Sequence, residues 1–374
     1  MARLIAAIRH HVAEEEQEHL PQFRQAAGPE RMAELSREFL AAKLVDKIRD
    51  KASGRQKRLA TDPSGVLDPQ AQRILDTFAA LEPQPFEILT PAQARRQPTP
   101  VDDVQDITIP GPGGDLSVRV YTPLEAKLGP LPIVLWIHGG GWVLFTVDTY
   151  DASCRGVANK TGAIVVSPEY RRAPEHVFPA AHDDVLATYR WIRDNAQQLG
   201  GDPTRITIGG ESVGGNMAAA TCLQLMATGE PLPVAQVLVY PLTTGEQFGE
   251  SMSDAADARP LNRPLLSWMA MHAFEGVPEA ATDPRVDLLS VPAEQLAWMP
   301  PTLVITDERD VLHDQGEEFA RHLEAAGVSV TATRYDGVMH EFFGAAAVLD
   351  KAEQAQRETA EHLRRSFTAP VGVR

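Results

Sequence analysis

Between Arg205 and Leu223 the chain passes from a β-branched apolar run into a small-residue helix through Gly210-Glu211-Ser212-Val213-Gly214. This stretch restricts the fold more than any other. Arg205-Ile206-Thr207-Ile208-Gly209 reads as a strand, and Asn216 to Leu223 carries small apolar residues at helical spacing. A serine at so sharp a strand-to-helix turn projects its hydroxyl beyond the sheet edge. Glycines two before and two after it let the backbone close that tightly. The following helix sets its free N–H groups beside the hydroxyl, where they favour developing negative charge. Gly-x-Ser-x-Gly also occurs in plain loops, but strand, turn and helix together are the setting of a nucleophile elbow.

The rest of the chain supplies the sheet. Val104 to Ile109 and Leu116 to Tyr121 alternate with period two around Pro110-Gly111-Pro112-Gly113-Gly114, a hairpin signal. Pro132–Ile137, Ala163–Ser167, Arg205–Gly209, Val234–Tyr240 and Thr302–Thr306 are near-continuous apolar runs, as buried parallel strands require. Val328 to Tyr335 alternates more and suits an outer strand. Helical stretches fall around 179–198, 213–228, 315–326 and 351–366. An antiparallel start followed by repeating β-α units predicts an α/β fold, a doubly wound, mostly parallel sheet of eight strands. Residues 101–242 and 299–374 form its core. The interruption at 243–298 is too long for a simple connection. It contains the apolar run Leu265 to His272, which with residues 61–100 predicts a two-part lid.

Residues 1–60 differ in kind: almost without glycine, rich in Ala, Glu, Arg and Leu, they read as a helical extension of two helices. His11 and Glu15 stand one turn apart. The surrounding run, Leu4-Ile5 through Arg9-His10-His11 to Leu20-Pro21, resembles part of a hemerythrin-like cation-binding bundle over residues 1–45. The helices that would bring the other ligands are absent, so a solvated charged face is the better reading. Leu67-Asp68-Pro69 then opens a further helix, with Asp68 as cap.

A serine nucleophile needs a base, an orienting acid and donors for an oxyanion. His138-Gly139-Gly140-Gly141-Trp142 follows the strand ending at Ile137, and three successive glycines there can turn bare N–H groups into a cleft. Asp307, Glu308, Asp310 and Asp314 compete as the acid after the strand ending at Thr306. His340 follows the last strand among apolar residues and is the best-placed base; His176, His182 and His313 are its nearest rivals.

With these motifs in order, residues 67 to 367 resemble the hormone-sensitive-lipase-like (family IV) bacterial carboxylesterases of the α/β-hydrolase superfamily. The resemblance rests on His138 to Trp142, on Tyr170-Arg171-Arg172-Ala173-Pro174-Glu175 and the residues to Ala181, on Gly210 to Gly215, and on Asp310-Val311-Leu312-His313-Asp314 with His340. It implies an α/β-hydrolase with a catalytic triad of Ser212, Asp310 and His340. It also implies an oxyanion hole from the N–H groups of Gly140, Gly141 and Val213, and a serine esterase; the small lid and Trp142 narrowing the cleft predict a preference for short- to medium-chain esters. The motif positions carried over are His138, Gly139, Gly210, Glu211 and Gly214. Trp142, Trp268 and Met271 are the expected pocket residues. Two positions depart from the family pattern, Glu211 before the serine and Val213 after it. Arg171, Arg172 and Glu175 are expected to pin their loop.

An amidase or a carbohydrate-directed acetylesterase would use the same residues. A non-catalytic binding protein on this fold is the second class, as plant gibberellin receptors are; such receptors lose the triad histidine, whereas His340 is present here. The chain of 374 residues carries a formal net charge of −16, which argues against a nucleic-acid surface. Its two cysteines, Cys154 and Cys222, form no disulfide framework, and no run reaches the length of a membrane span. The expectation is therefore a cytoplasmic enzyme acting on small-molecule esters without metal or organic cofactor. The apolar positions Leu35, Phe39, Leu40, Leu44 and Ile48 in the extension favour a homodimer.

Overall fold

The structure is a computed structural model that describes residues 67–80, 101–124 and 129–368. The expectations for residues 1–60, including His11 and Glu15, and for most of 61–100 lie outside the described residues.

In chain order the elements are α1 (Pro69–Ala80), β1 (Asp103–Gly111), β2 (Gly114–Thr122), β3 (Leu131–Ile137), α2 (Asp151–Thr161), β4 (Ile164–Pro168), α3 (Ala180–Asn195), β5 (Gly201–Glu211), α4 (Val213–Thr228) and β6 (Gln236–Val239). There follow α5 (Ser251–Asp254), α6 (Arg263–Ala273), α7 (Ala293–Leu296), β7 (Thr302–Arg309), α8 (His313–Ala325), β8 (Val330–Met339) and α9 (Asp350–Thr368). The strands form one eight-stranded sheet in the order β1-β2-β4-β3-β5-β6-β7-β8. β1 and β2 pair as an antiparallel hairpin closed by Gly111 opposite Gly114. β2 runs antiparallel to β4, and every pairing from β4 through β8 is parallel.

The period-two geometry of a strand explains why the central runs are apolar throughout. Along β3, Ile133, Leu135 and Ile137 face one core, with Val185 of α3, Met217 of α4 and Phe319 of α8. Val134 and Trp136 face the other, with Cys154 and Val157 of α2 and Ala352 and Leu363 of α9. Cys154 and Cys222 are buried and free, as small apolar fillers. The helix α2 had no signal in the sequence: its face toward the sheet is made of Cys154, Val157 and Ala158, while Arg155, Asn159 and Lys160 keep its mean hydropathy low. At α1 the Asp68 cap forms as expected, its Oδ1 accepting from Gln70 N at 2.8 Å while its own N–H donates to Gly337 O at 2.9 Å.

One consequence of the winding sets up the site. The parallel strands β3, β5, β6, β7 and β8 all end at the same edge of the sheet, the edge where α/β proteins bind ligands. The residues that immediately follow them are His138, Ser212, Tyr240, Asp310 and His340.

Candidate active site

Ser212 is the hinge between β5 and α4, with φ 59° and ψ −121°. A non-glycine residue with positive φ is strained, and such strain persists only where the surroundings enforce it. Here they do. A Cβ on Gly214 would lie 2.1 Å from Ile137 O, and one on Gly210 would lie 2.5 Å from the same oxygen. The two glycines let the elbow press against the end of β3. Ser212 N donates to Val239 O at 2.9 Å, tying the turn to β6. Val213 occupies the first turn of α4, where backbone N–H groups have no intrahelical acceptor.

The glycine loop after β3 is held from both sides. Gly140 has φ 102° and Gly141 φ 62°, and a Cβ on Gly140 would meet Leu144 O at 2.1 Å. Gly140 O accepts from the N–H groups of Val143 and Leu144. Gly139 lies beside Ser212, the distance from its ideal Cβ to that of the serine being 3.1 Å. His138 does not face substrate chemistry. It is buried, its Nδ1 is 2.8 Å from Gly139 O, and its ring stacks on Tyr170 at 4.1 Å between centroids. Burial holds it down to about 3, so it is neutral at working pH. The Tyr170 hydroxyl donates to Gly139 O at 2.9 Å, anchoring the start of the loop.

Asp310 and His340 meet across the ends of β7 and β8. His340 Nδ1–H donates to Asp310 Oδ2 at 2.6 Å, and Leu312 N–H donates to Asp310 Oδ1 at 3.0 Å. Asp310 is fully buried and His340 only 4% exposed. The rival acids have other partners or places. Glu308 accepts from Gly337 N–H at 2.7 Å, Asp314 accepts from Ser251 N–H at 2.8 Å, and Asp307 is buried beside Asp310. The three rival histidines are placed elsewhere: His182 Nε2 lies 3.1 Å from Asn216 Oδ1, His313 Nδ1 lies 3.0 Å from Asp307 O, and His176 is exposed. For His340, burial works against the charged ring, but Asp310, Glu341 and Glu211 outweigh it and raise its pKa above the ordinary histidine value. Asp307, Asp310 and His340 have potential ligand atoms within 4.8 Å of one another. The 2.6 Å Asp310–His340 contact is a hydrogen bond rather than a pair of metal ligands, which sit about 3 Å or more apart around one ion.

Three residues at the site carried no role in the sequence reading. Tyr240, after β6, lays its ring 4.5 Å from that of His340 and donates its hydroxyl to Glu211 Oε2 at 2.6 Å. Tyr150 donates to Glu341 Oε1 at 2.6 Å, and that oxygen lies 4.0 Å from His340 Nε2. Glu341 itself has φ 68°. An acid directly after the candidate base was visible in the sequence; the two tyrosines join through tertiary contacts alone.

Glu211 points away from the cleft, buried under the sheet, where its Oε1 accepts from Trp136 Nε1 at 3.1 Å. Burial, then Glu341, raise it to about 7, against hydrogen bonds from Tyr240, Ser153 and Trp136. The folded protein therefore keeps a proton on Glu211 that the unfolded chain has released between about pH 4.5 and 7, so stability falls as pH rises through that window. Glu211→Gln is expected to match the parent at pH 4 and to exceed it by about 3 kcal/mol at pH 8. Denaturant unfolding at the two pH values measures this. A variant no more stable than the parent at pH 8 would contradict it.

The expected pocket residues separate. Trp142 is buried, with φ 61°, and packs on Phe274 at 5.4 Å. With Ala173, Phe178, His182 and Phe274 it lines a small, nearly filled apolar pocket to which no residue of the triad contributes. Trp268 and Met271 are instead 41% and 61% exposed on α6, and the buried Met269 between them is the residue that presses on the glycine loop. A Cβ on Gly141 would lie 2.2 Å from Met269 Sδ. The correction follows from helical phase: on a helix, residues two apart do not share a face, so burying Met269 turns Met271 outward. Arg171 pairs with Asp184 at 2.8 Å, and Arg172 binds Glu169 and Phe145 O, so both pin their loop as expected. Glu175 is exposed.

The chain is similar to known proteins along most of its length. Residues 134–344 match a family described as having the alpha/beta hydrolase fold. The carboxylesterase NlhH of Mycobacterium tuberculosis is 34% identical over 81% of this chain and 97% of its own length. An ethyl acetate hydrolase of Pseudomonas putida is 36% identical over 65% of this chain and 76% of its own. The solved structure of an esterase from Pyrobaculum calidifontis superposes with a TM-score of 0.72 at 35% identity, covering 81% of this chain and all of that one. The chain belongs to the α/β-hydrolase-fold family, within its hormone-sensitive-lipase-like branch.

Proposed function

We propose that the protein is a serine carboxylesterase that hydrolyses short- to medium-chain carboxylic esters, with Ser212, Asp310 and His340 as its triad. Ester hydrolysis is what relatives of this length and identity are named for. The observation that carries the residue assignment is the buried 2.6 Å Asp310–His340 hydrogen bond at the sheet edge where the strained Ser212 elbow ends β5.

In this reading Asp310 holds His340 with its proton on Nδ1, leaving Nε2 as an acceptor. Nε2 removes the Ser212 proton as Oγ attacks the ester carbonyl. The tetrahedral oxyanion is held by the N–H groups of Gly140, Gly141 and Val213, each donor of this kind being worth about 3 kcal/mol. His340 then protonates the departing alcohol, and later activates the water that frees the acid and regenerates Ser212. Because His340 must be neutral to accept the first proton, kcat/KM is expected to fall on acidification through a pKa above the ordinary histidine value.

Chain-length preference rests on Trp142, which directly follows the glycine loop and packs on Phe274 at 5.4 Å, leaving little open space there. Across a series of aryl esters from acetyl to palmitoyl, kcat/KM is expected to be highest at or below about eight carbons and at least ten-fold lower for palmitoyl. Faster turnover of emulsified long-chain esters would overturn the preference while leaving the triad untouched. The reading extends to a cytoplasmic enzyme divided into a core of residues 101–242 and 299–374, a lid of 61–100 and 243–298, and an extension, residues 1–60, that joins a homodimer. Among the described residues no helix is long and apolar enough to cross a membrane.

A further inference from the structure

Two buried carboxyl groups lie side by side at the end of β7, and the mechanism above uses one. Asp307 and Asp310 are both fully buried. One oxygen of each and a ring nitrogen of His340 lie within 4.8 Å of one another. The pairing of β7 with β8 shifts register between Asp307 and Arg309, a bulge that re-aims the chain just ahead of Asp310. Asp307 is held in place through its backbone, whose carbonyl lies 3.0 Å from His313 Nδ1. Its side chain is another matter: among the described residues no donor reaches either carboxyl oxygen.

Two adjacent carboxylates in a dry site cannot both stay ionised, so one keeps a proton. Geometry decides which. Asp310 already accepts from Leu312 N–H and from His340 Nδ1–H, as an anion does. Among the described residues none donates to Asp307, an arrangement that favours the neutral over the ionised form of a buried carboxyl. A neutral buried carboxyl in turn needs an acceptor for its O–H, and Asp310 is the one in the cluster.

We propose that Asp307 is a positioning residue for the serine esterase reaction, a neutral carboxyl whose O–H donates to Asp310 and so extends the His340–Asp310 pair to a third buried member. Burial, followed by the neighbouring Asp310 charge, pushes Asp307 well above the ordinary carboxyl range, in accord with this geometry. The inference rests on the triad reading. A hydrogen bond donated to Asp310 draws charge from it and lowers the proton affinity of His340 relative to a bare pair. The other groups facing the cluster stay unchanged in the variants below: Glu341 after β8, Glu211 at the end of β5, Tyr240 after β6, Tyr150 before α2, and His313 on α8.

The test is the acid limb of kcat/KM on a soluble ester in Asp307→Asn and Asp307→Leu. Asparagine keeps a neutral donor toward Asp310, so its limb is expected within about 0.3 pH unit of the parent. Leucine removes the donor at similar volume and is expected to raise the limb by about one pH unit. A limb lowered by about one unit in Asp307→Asn would show that an anion had been removed, and would overturn the proposal. An unmoved limb in folded Asp307→Leu would overturn it as well. If the leucine variant does not fold, Asp307→Asn alone still separates neutral from anionic Asp307. Titration of the His340 ring by NMR in a Ser212→Ala background reads the same shifts without turnover. A parent protein with no esterase activity would sink the triad reading and with it the positioning role, while the NMR titration would still report whether Asp307 is a neutral donor to Asp310.

Discussion

Ser212→Ala is expected to lower kcat on a soluble ester by about a million-fold while the protein stays folded. The loss is large because the alternative route, direct attack by water, has neither a nucleophile at the elbow nor a covalent intermediate to divide the barrier. What remains is the acceleration that the backbone donors provide. The fold should survive because the elbow is made by backbone and glycine. Ser212 N still donates to Val239 O, Asn216 N still donates to Ser212 O, and Gly210 and Gly214 still abut Ile137 O. Alanine carries the same Cβ into the same positive φ, so no new strain arises. The thermal midpoint is expected within about 3 °C of the parent. Residual turnover above a thousandth of the parent value, in a preparation free of contaminating esterase, would mean that another residue is the nucleophile.

The second large effect is expected at Asp310. Asp310→Asn should lower kcat by about ten-thousand-fold with little change in KM. The reason is the tautomer. Asp310 accepts two hydrogen bonds, from Leu312 N–H and His340 Nδ1–H, and an asparagine oxygen can keep only one of them well. If it keeps Leu312, its amide N–H₂ faces His340 and drives the ring proton to Nε2, where the Ser212 proton should go. Asp314→Asn makes the contrast. Asp314 anchors α5 by accepting from Ser251 N–H at 2.8 Å, so its loss should slightly loosen residues 243–298 and change turnover by less than about ten-fold. Measured kcat values for the two variants decide the assignment. An Asp314→Asn enzyme crippled more than Asp310→Asn would move the acid role away from Asp310.

Much of this architecture was legible in the chain because the two periodicities of secondary structure write themselves into composition. Strands buried on both faces leave unbroken apolar runs such as Ile133 to Ile137, and their helices carry one apolar stripe each. All eight strands could be located in this way, with boundaries shifted by a few residues. The glycines were legible for a different reason. Gly140, Gly210 and Gly214 stand where any side chain would strike backbone within about 2.5 Å, so their spacing records a backbone path. The helix α2 escaped notice because its buried face is small and its exposed face strongly polar. Trp268 and Met271 were misplaced because a short apolar run does not reveal which of its residues a helix will turn inward.

The sequence by itself determined the order of strands and helices and the places where chemistry-bearing residues leave them. Those are local properties, set by side-chain period and by steric limits on φ and ψ. The family resemblance had already selected Asp310 as the acid; only the tertiary structure shows the hydrogen bond that joins it to His340, that Glu211 turns under the sheet to Trp136 and Tyr240, and that Asp307 lies buried beside Asp310. These depend on register between strands far apart in the chain and on exclusion of water. Burial and proximity of charge, which set protonation, arise only when β5, β7 and β8 are laid into one sheet.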